Sequence, residues 1–332
     1  MNQFILSLSD QNATLEDTGG KGLSLAKMAG AGLPVPGGFF VTTQTYRRFV
    51  SENNIQERIL KVLEGVNPAD TNALDQASQN ISRYFAEGQI PGEIASAVSS
   101  AYSALDNAPV AVRSSATAED LPGASFAGQQ ETYLNIRGTQ AVLDAVKKCW
   151  ASLWTARAIA YRLKNNIDQK TVALAVVVQR LIAADAAGIL FTANPINGKR
   201  SELVINAAWG LGEAVVSGAV TPDTIVVDKG TGKIIRRETA EKQVMTVRTE
   251  GGVVEQPVPE VQKRKPALTD PQTEELANLG IKIEQFYGMP MDIEWALAGG
   301  EFAIVQARPI TAMPEPPVEW IRPDPKAVYA RG

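Results

Sequence analysis

The sequence of 332 residues is 45% hydrophobic and 20% charged, an ordinary globular composition with room for two domains or one large bilobed one. Its net charge of −4 excludes a global basic field for nucleic acid or an anionic membrane, and its single cysteine, Cys149, excludes an internal disulfide and a cysteine metal cluster. Histidine is absent, so chemistry must rest on carboxylates, lysine, arginine, hydroxyls or a bound metal, or else the imidazole comes from elsewhere.

The opening MNQFILSLSD has neither a basic start nor a long apolar run, and the longest apolar stretches, such as VALAVVV, are too short to span a bilayer. A cytoplasmic protein is expected. Gly19-Gly20-Lys21-Gly22 then precedes the helical pattern LSLAKMAGAG, and GFFVTT reads as a short buried strand. A helix N-terminus is already partly positive, so Lys21 there calls for a phosphate or carboxylate nearby, unless it points into water. No Walker or Rossmann pattern accompanies it.

From about Thr43 to Ala104 the pattern is mostly helical, broken at Pro91-Gly92, and reads as scaffold. PVAVRSS is a strand that runs into SATAEDLPGASFAGQQETY, a stretch with Gly123, Gly128 and no apolar periodicity, which reads as a functional loop. Arg113 at the strand end suits bidentate phosphate contact, while pairing with Glu119 or Asp120 is an equal alternative. Helical spacing returns in AVLDAVKKCWASLWTARAIAYRLKNN and predicts burial of Val142, Val146, Trp150, Leu153 and Trp154, with Cys149 as a packed thiol.

After Val172 strands predominate: VALAVVVQRLI, AAGILFTANP, SELVINAAWG and the pair DTIVVD and KIIRR around a turn at residues 228–232. An amphipathic helix over about Pro271 to Tyr287 leads into MDIEWALAGGEFAIVQARPI, which reads as a hairpin. Asp292 and Glu294 share one face of its first strand, and Gln306 and Arg308 one face of its second. All four share a site only if Glu294 lies opposite Gln306 and Asp292 opposite Arg308, which requires an odd-numbered loop, such as a three-residue turn over Gly299 to Glu301, or a bulge.

In that register Ile293, Trp295 and Leu297 would meet Ala303, Val305 and Ala307 on the core face. Two carboxylates and an amide oxygen are ligands of the kind Mg²⁺ uses alongside nucleotide phosphates, whereas a simple Asp292–Arg308 ion pair on a surface strand is the structural alternative. The proline-rich MPEPPVEWIRPDPKAVYARG reads as a linker or an irregular terminus. Three segments are therefore expected: a first lobe over 1–180, a second lobe rich in antiparallel strands over 181–312, and a linker over 313–332.

Taken together, GGKGLSLAKMAGAGLPVPGGFFVTT, VAVRSSATAEDLPGASFAGQQETYLN, VVVQRLI, GILFTANP, AAWGLGEAVVSGAVTPD and DIEWALAGGEFAIVQARPI resemble, in order, the N-terminal ATP-binding domain of phosphoenolpyruvate synthases. Pyruvate phosphate dikinase and rifampin phosphotransferase share that domain. The resemblance implies a bilobed ATP-grasp-like fold of the α+β or α/β class with mixed and antiparallel sheets, and ATP and Mg²⁺ as ligands. It assigns Lys21 and Arg113 to the phosphates, and Gly128 and Thr132 to a mobile glycine loop above them. Gln179 and Leu181 fall in the hinge that holds adenine, and Glu213 near the ribose. Glu294 and Gln306 match metal ligands, with Asp292 a neighbouring acid in that set and Arg308 beside it.

The reaction so implied is pyrophosphoryl transfer from ATP to a histidine on a separate swivelling domain, with release of AMP. Orthophosphate is then lost by hydrolysis, and the remaining phosphoryl group passes to pyruvate on a third domain. Both partner domains are expected outside this sequence, which fits its lack of histidine. The equivalent domain of a rifampin phosphotransferase and a non-catalytic ATP-binding module are the competing expectations. The RPDPKAVYARG ending resembles the synthase's lead into its histidine domain, and the intact phosphate and metal set argues against a pure sensor.

Overall fold

The computed structural model describes residues 4–117 and 131–315. Glu119, Asp120, Gly123 and Gly128 lie outside the described residues, as does the expected linker from residue 316 onward.

The first half of the chain opens with β1 (Ile5–Ser7), α1 (Leu15–Gly30) and β2 (Gly38–Val41), then four helices, α2 (Thr43–Glu52), α3 (Ile55–Leu63), α4 (Thr71–Glu87) and α5 (Gly92–Ser103). Strands β3 (Val110–Ala116) and β4 (Thr132–Ile136), helices α6 (Thr139–Ser152) and α7 (Ala156–Lys164), and strand β5 (Leu174–Arg180) follow. The five strands form one sheet in the order β1-β2-β5-β3-β4, with every pairing antiparallel.

The second half builds a six-stranded sheet. It contains β6 (Ala186–Phe191), β7 (Glu202–Trp209), the short α8 (Glu213–Val216), β8 (Asp223–Asp228) and β9 (Ile234–Glu238). A separate hairpin of β10 (Val244–Thr249) and β11 (Gly252–Pro257), then α9 (Glu260–Lys263) and α10 (Asp270–Tyr287), lead to β12 (Met291–Ala298) and β13 (Glu301–Pro309). The order is β13-β12-β6-β7-β8-β9, again antiparallel, so helices and antiparallel sheets put the molecule on the α+β side of the expectation.

Alternation along β5 explains how the first sheet is packed. Val176 and Val178 join a cluster with Tyr46, Phe49, Phe85, Trp150 and Trp154, supplied by the helices on one face. Val177 points the other way and joins Phe40, Leu25 and Met28 of α1, and through them Ile293, Trp295 and Ile304 of the second sheet. Thus α1 lies in a core shared by both sheets. Leu153, expected in the helical core, is only half-buried, because α6 ends at Ser152 and Thr155 caps a new helix with its side chain.

Helix α1 begins earlier than the glycine cluster suggested. Thr14 caps it by accepting from the Asp17 N–H, and Glu16 and Asp17 occupy its first turn. The helix then breaks at Gly19, whose φ of 71° and ψ of 177° are open to glycine but strained for other residues. Lys21 therefore still sits at the start of a helical segment, the one that resumes after the break. Helix α10 starts at Asp270 behind a capping box made by Thr269 and Gln272, and ends at Gly288 in the left-handed conformation.

Candidate active site between the two sheets

The β12–β13 hairpin places Glu294 opposite Gln306 and Asp292 opposite Arg308. The connection is a two-residue turn of Gly299 (φ 58°) and Gly300 (φ 88°), not three residues, so Ala298 faces Glu301. A bulge restores the shared face: the register shifts after Glu294, Trp295 pairs with Ile304, and Val305 is left out of the ladder. The core face consequently differs from the expected one, with Trp295 meeting Ile304 and Leu297 meeting Phe302 in place of Val305 and Ala303.

The bulge has a chemical use. Val305 offers its carbonyl to Arg113, whose Nη1 donates at 3.1 Å and also lies 3.9 Å from Glu294 Oε2. Arg113 Nε is buried and has no hydrogen-bond partner among the described residues, although a guanidinium has five donors to place. An unsatisfied buried donor is costly, so this arginine is held ready for an acceptor that the described residues do not provide.

Sheet register explains which other residues face the same space. Across the first sheet, Leu6 pairs with Phe40, Phe40 with Val177, Val177 with Arg113 and Arg113 with Thr132, one continuous row on the face that carries α1. Its apolar end is covered by α1, and its polar end, Arg113 and Thr132, opens beside the second sheet. Gln179 lies in the next row, between Gly38 and Ala111; it is buried, and its Nε2 donates to the Pro36 carbonyl at 3.4 Å. Leu181 begins the connection between the sheets and commits its N–H to the Pro109 carbonyl at 2.9 Å.

Thr132 and Glu213 line the same cleft of about 460 Å³, together with Tyr133, Ser217, Thr246 and Glu255. Glu213 itself is exposed at the start of α8. The β10–β11 hairpin forms the far wall and is held to the first sheet by Asn135, whose Nδ2 donates to the Thr249 and Gly252 carbonyls at 2.7 and 2.6 Å. Asn135 is buried with a positive φ of 58°, a conformation asparagine tolerates better than most residues.

The ion pair offered as the structural alternative is present: Arg308 Nε and Nη2 donate to Asp292 Oδ2 at 2.9 and 2.8 Å. Burial pushes the Asp292 carboxyl above its ordinary range, Arg308 opposes that shift, and Glu294 adds to it. Lys21 is half-buried rather than pointing freely into water. It lies near enough to Cys149 for its charge to favour the thiolate, but burial dominates and drives that thiol far above its usual range, as suits a packed cysteine.

Several groups that organise these residues carry no signal in the sequence. Ser115, two residues beyond Arg113 on the same face, donates its hydroxyl to the Thr18 carbonyl at 2.7 Å and accepts from the Gly22 N–H at 3.1 Å. It spans the break in α1, and a Cβ on Gly19 would lie 2.3 Å from the Ser115 carbonyl oxygen. Ser115 thereby fixes the Lys21 turn against the Arg113 strand. On the other side of α1, β13 is the edge strand of its sheet, and first-half residues satisfy three of its outward backbone groups. The Ile304 N–H donates to the Pro34 carbonyl at 2.8 Å, Arg113 donates to Val305, and Ser24 Oγ donates to the Ala307 carbonyl at 2.7 Å.

Among the described residues no group of three His, Cys, Asp or Glu side chains could hold a metal by itself. The hairpin instead offers one carboxylate, Glu294, facing one amide, Gln306, with Asp292 already engaged by Arg308. That donor set fits Mg²⁺, which commonly takes one or two protein oxygens and completes its shell with phosphates and water. Among the described residues no helix is long and apolar enough to cross a membrane.

An arginine of one sheet standing 3.9 Å from the carboxylate of an oxygen-donor hairpin in the other, with a buried donor unmet among the described residues, marks an anion-binding domain of the nucleotide type. The chain belongs to the pyruvate phosphate dikinase AMP/ATP-binding domain family, whose pattern matches residues 15–323. It is 49% identical over 321 residues to a probable phosphoenolpyruvate synthase of Methanocaldococcus jannaschii, covering 94% of this chain and 27% of that protein. The phosphoenolpyruvate synthase of Pyrococcus furiosus is 43% identical over 344 residues, covering 90% of this chain and 42% of that protein. The rifampicin phosphotransferase of Streptomyces sviceus is also 43% identical, over 314 residues that cover 94% of this chain and 36% of that protein. The chain thus spans less than half the length of these curated relatives.

Proposed function

We propose that the chain is the ATP-grasp-like, Mg²⁺-dependent ATP-binding domain of a phosphoenolpyruvate synthase, with a first lobe over 1–180, a second over 181–312 and a linker from 313. In this reading it binds ATP between the sheets and directs the pyrophosphoryl group to a histidine on a separate swivelling domain. AMP leaves, and the phosphoryl group that remains after hydrolysis goes to pyruvate. The single observation that carries the reading is the approach of Arg113 to within 3.9 Å of Glu294, which lies on the other sheet opposite Gln306, with Arg113 Nε unsatisfied among the described residues.

Phosphoryl transfer asks a protein for position and charge neutralisation rather than covalent chemistry. Arg113 uses its fork of donors on phosphate oxygens, with Lys21 and Arg308 contributing further positive charge as negative charge gathers there. Gly128 and Thr132 cover the phosphates. Gln179 and Leu181 hold adenine at the connection between the sheets, where the Leu181 N–H is already committed and its carbonyl faces the base. Glu213 approaches the ribose from the shared cleft.

Glu294 and Gln306 would hold Mg²⁺, while Asp292 keeps Arg308 in place. When bound, the metal would supply positive charge that offsets the charge of the phosphates. The attacking imidazole comes from outside these residues, which contain no histidine. A cytoplasmic setting follows from the ATP supply this reaction needs.

The test mixes the chain with a separately made histidine domain, ATP and Mg²⁺. AMP release with labelling of the histidine domain is the expected result. Tight ATP binding with no transfer under any condition would sink the transferase reading in favour of a binding module. The 43% identity to a rifampicin phosphotransferase keeps a rifamycin hydroxyl as the alternative final acceptor, decided by supplying either acceptor with its own domain.

A further inference from the structure

Ser24 lies on α1 one turn beyond Lys21, and its contacts reach both neighbouring elements of the second half. Ser24 Oγ donates to the Ala307 carbonyl at 2.7 Å and lies 2.9 Å from the Tyr287 hydroxyl, while that hydroxyl donates to the Ser24 carbonyl at 3.0 Å. The two hydroxyls own one proton each for these three contacts. With the Ser24 proton on Ala307, the Tyr287 proton is shared between the oxygens of Ser24. The three elements are thus held by one compact, half-buried polar knot at the margin of the apolar core around α1.

The position of the knot gives it functional content. Ala307 stands between Gln306 and Arg308, so the carbonyl that Ser24 holds belongs to the peptide joining Ala307 to Arg308, next to the amide ligand candidate. Tyr287 is the last residue of α10, separated only by residues 288–290 from β12, the strand of Glu294. Through Ser24 and Tyr287, α1 and both strands of the oxygen-donor hairpin share one reference point. Burial raises the Tyr287 hydroxyl above its usual range, so it keeps its proton at any physiological pH.

We infer that Ser24 and Tyr287 are positioning residues that set the metal hairpin against the Lys21 turn, so that both engage one polyphosphate at once. The inference rests on the nucleotide reading above. It concerns the metal-dependent part of binding: nucleotide without metal is held by Arg113, Lys21 and the adenine contacts, whereas Mg²⁺-ATP also needs Glu294 and Gln306 at the correct distance.

The test is ATP affinity of the full 332-residue chain measured by calorimetry with saturating Mg²⁺ and again with EDTA. Loss of a single hydrogen bond is worth about 0.5–1.5 kcal/mol, so Ser24→Ala is expected to weaken Mg²⁺-ATP binding by roughly 2- to 13-fold while metal-free ATP binding stays within about twofold. Tyr287→Phe should move the same quantity in the same direction by a smaller factor, and Ser24→Thr, which keeps the hydroxyl, should restore it.

Equal weakening with and without Mg²⁺ would reduce the knot to a fold contact and overturn the inference, as would Mg²⁺-ATP affinity unchanged in both Ser24→Ala and Tyr287→Phe. A wild-type chain that binds no ATP under either condition overturns the nucleotide reading itself, and this inference with it.

Discussion

The two apolar cores of the molecule face opposite sides of one sheet and are built differently. Behind the first sheet, helices α2 to α7 close a core rich in aromatic rings, in which Phe49 and Trp150 sit 4.9 Å apart and Trp154 donates to the Tyr46 hydroxyl at 3.0 Å. In front of it, the core around α1 is mainly aliphatic and grades into Arg113 and Thr132 within one row of side chains, while Glu294 and Gln306 stand on the opposite face of the second sheet from its Ile293 and Trp295. One core has only stability to supply. The other surrounds a helix that must also present Lys21, so its defects should reach the ligand.

Substitutions ranked by their effect on stability probe that contrast. Trp150→Ala in the rear core should cost about 3–5 kcal/mol in urea unfolding, with the ATP affinity of the folded fraction unchanged. A large affinity loss there would erase the distinction between the cores. Gly19→Ala should cost about 1–3 kcal/mol, because a non-glycine residue is strained at this φ and its Cβ meets the Ser115 backbone. Unlike Trp150→Ala, it should also weaken ATP binding, since the Lys21 turn starts at that break.

Asn135→Ala removes two hydrogen bonds to the β10–β11 turn and should cost about 1–2 kcal/mol. The loss should appear in hydrogen exchange as faster opening of residues 244–257 before the rest of the sheet. Glu294→Ala, finally, should change stability by less than about 1 kcal/mol, the range of partly exposed ion pairs, yet weaken Mg²⁺-ATP binding at least about tenfold. Equal loss of stability and no nucleotide effect would remove Glu294 from the site.

Much of the hairpin was legible from spacing alone, because strand alternation fixes which of Asp292, Glu294, Gln306 and Arg308 can face each other. The bulge was legible only as a requirement. Val305 is an ordinary strand residue, and the group that meets its carbonyl, Arg113, lies 192 positions earlier in the chain. The start of α1 could have been found from Thr14 followed by Glu16 and Asp17, a cap and an acidic first turn. The glycine cluster drew attention to the break instead of the beginning.

Strands β10 and β11 went unlisted among the expected elements because VMTVRT and GVVEQP keep a largely exposed polar face and join neither main sheet. Ser24, Ser115 and Tyr287 had no local signature, since serine on a helix or strand and tyrosine at a helix end are common. Only the pairing of distant elements gives them partners. The resemblance to the family implied roles for Gln179 and Glu213 that no spacing argument could reach.

The outer edge of β13 has a consequence for solution behaviour. Its Ile304 amide and its Val305 and Ala307 carbonyls are met by Pro34, Arg113 and Ser24, so the six-stranded sheet ends in a strand that is chemically occupied. Any movement that draws the first half away from this strand bares a row of unmatched backbone groups, a template for another chain to add itself in register. A polyphosphate that keeps the halves together would then act as an anti-aggregation ligand, and self-association on prolonged storage should be faster without nucleotide than with it.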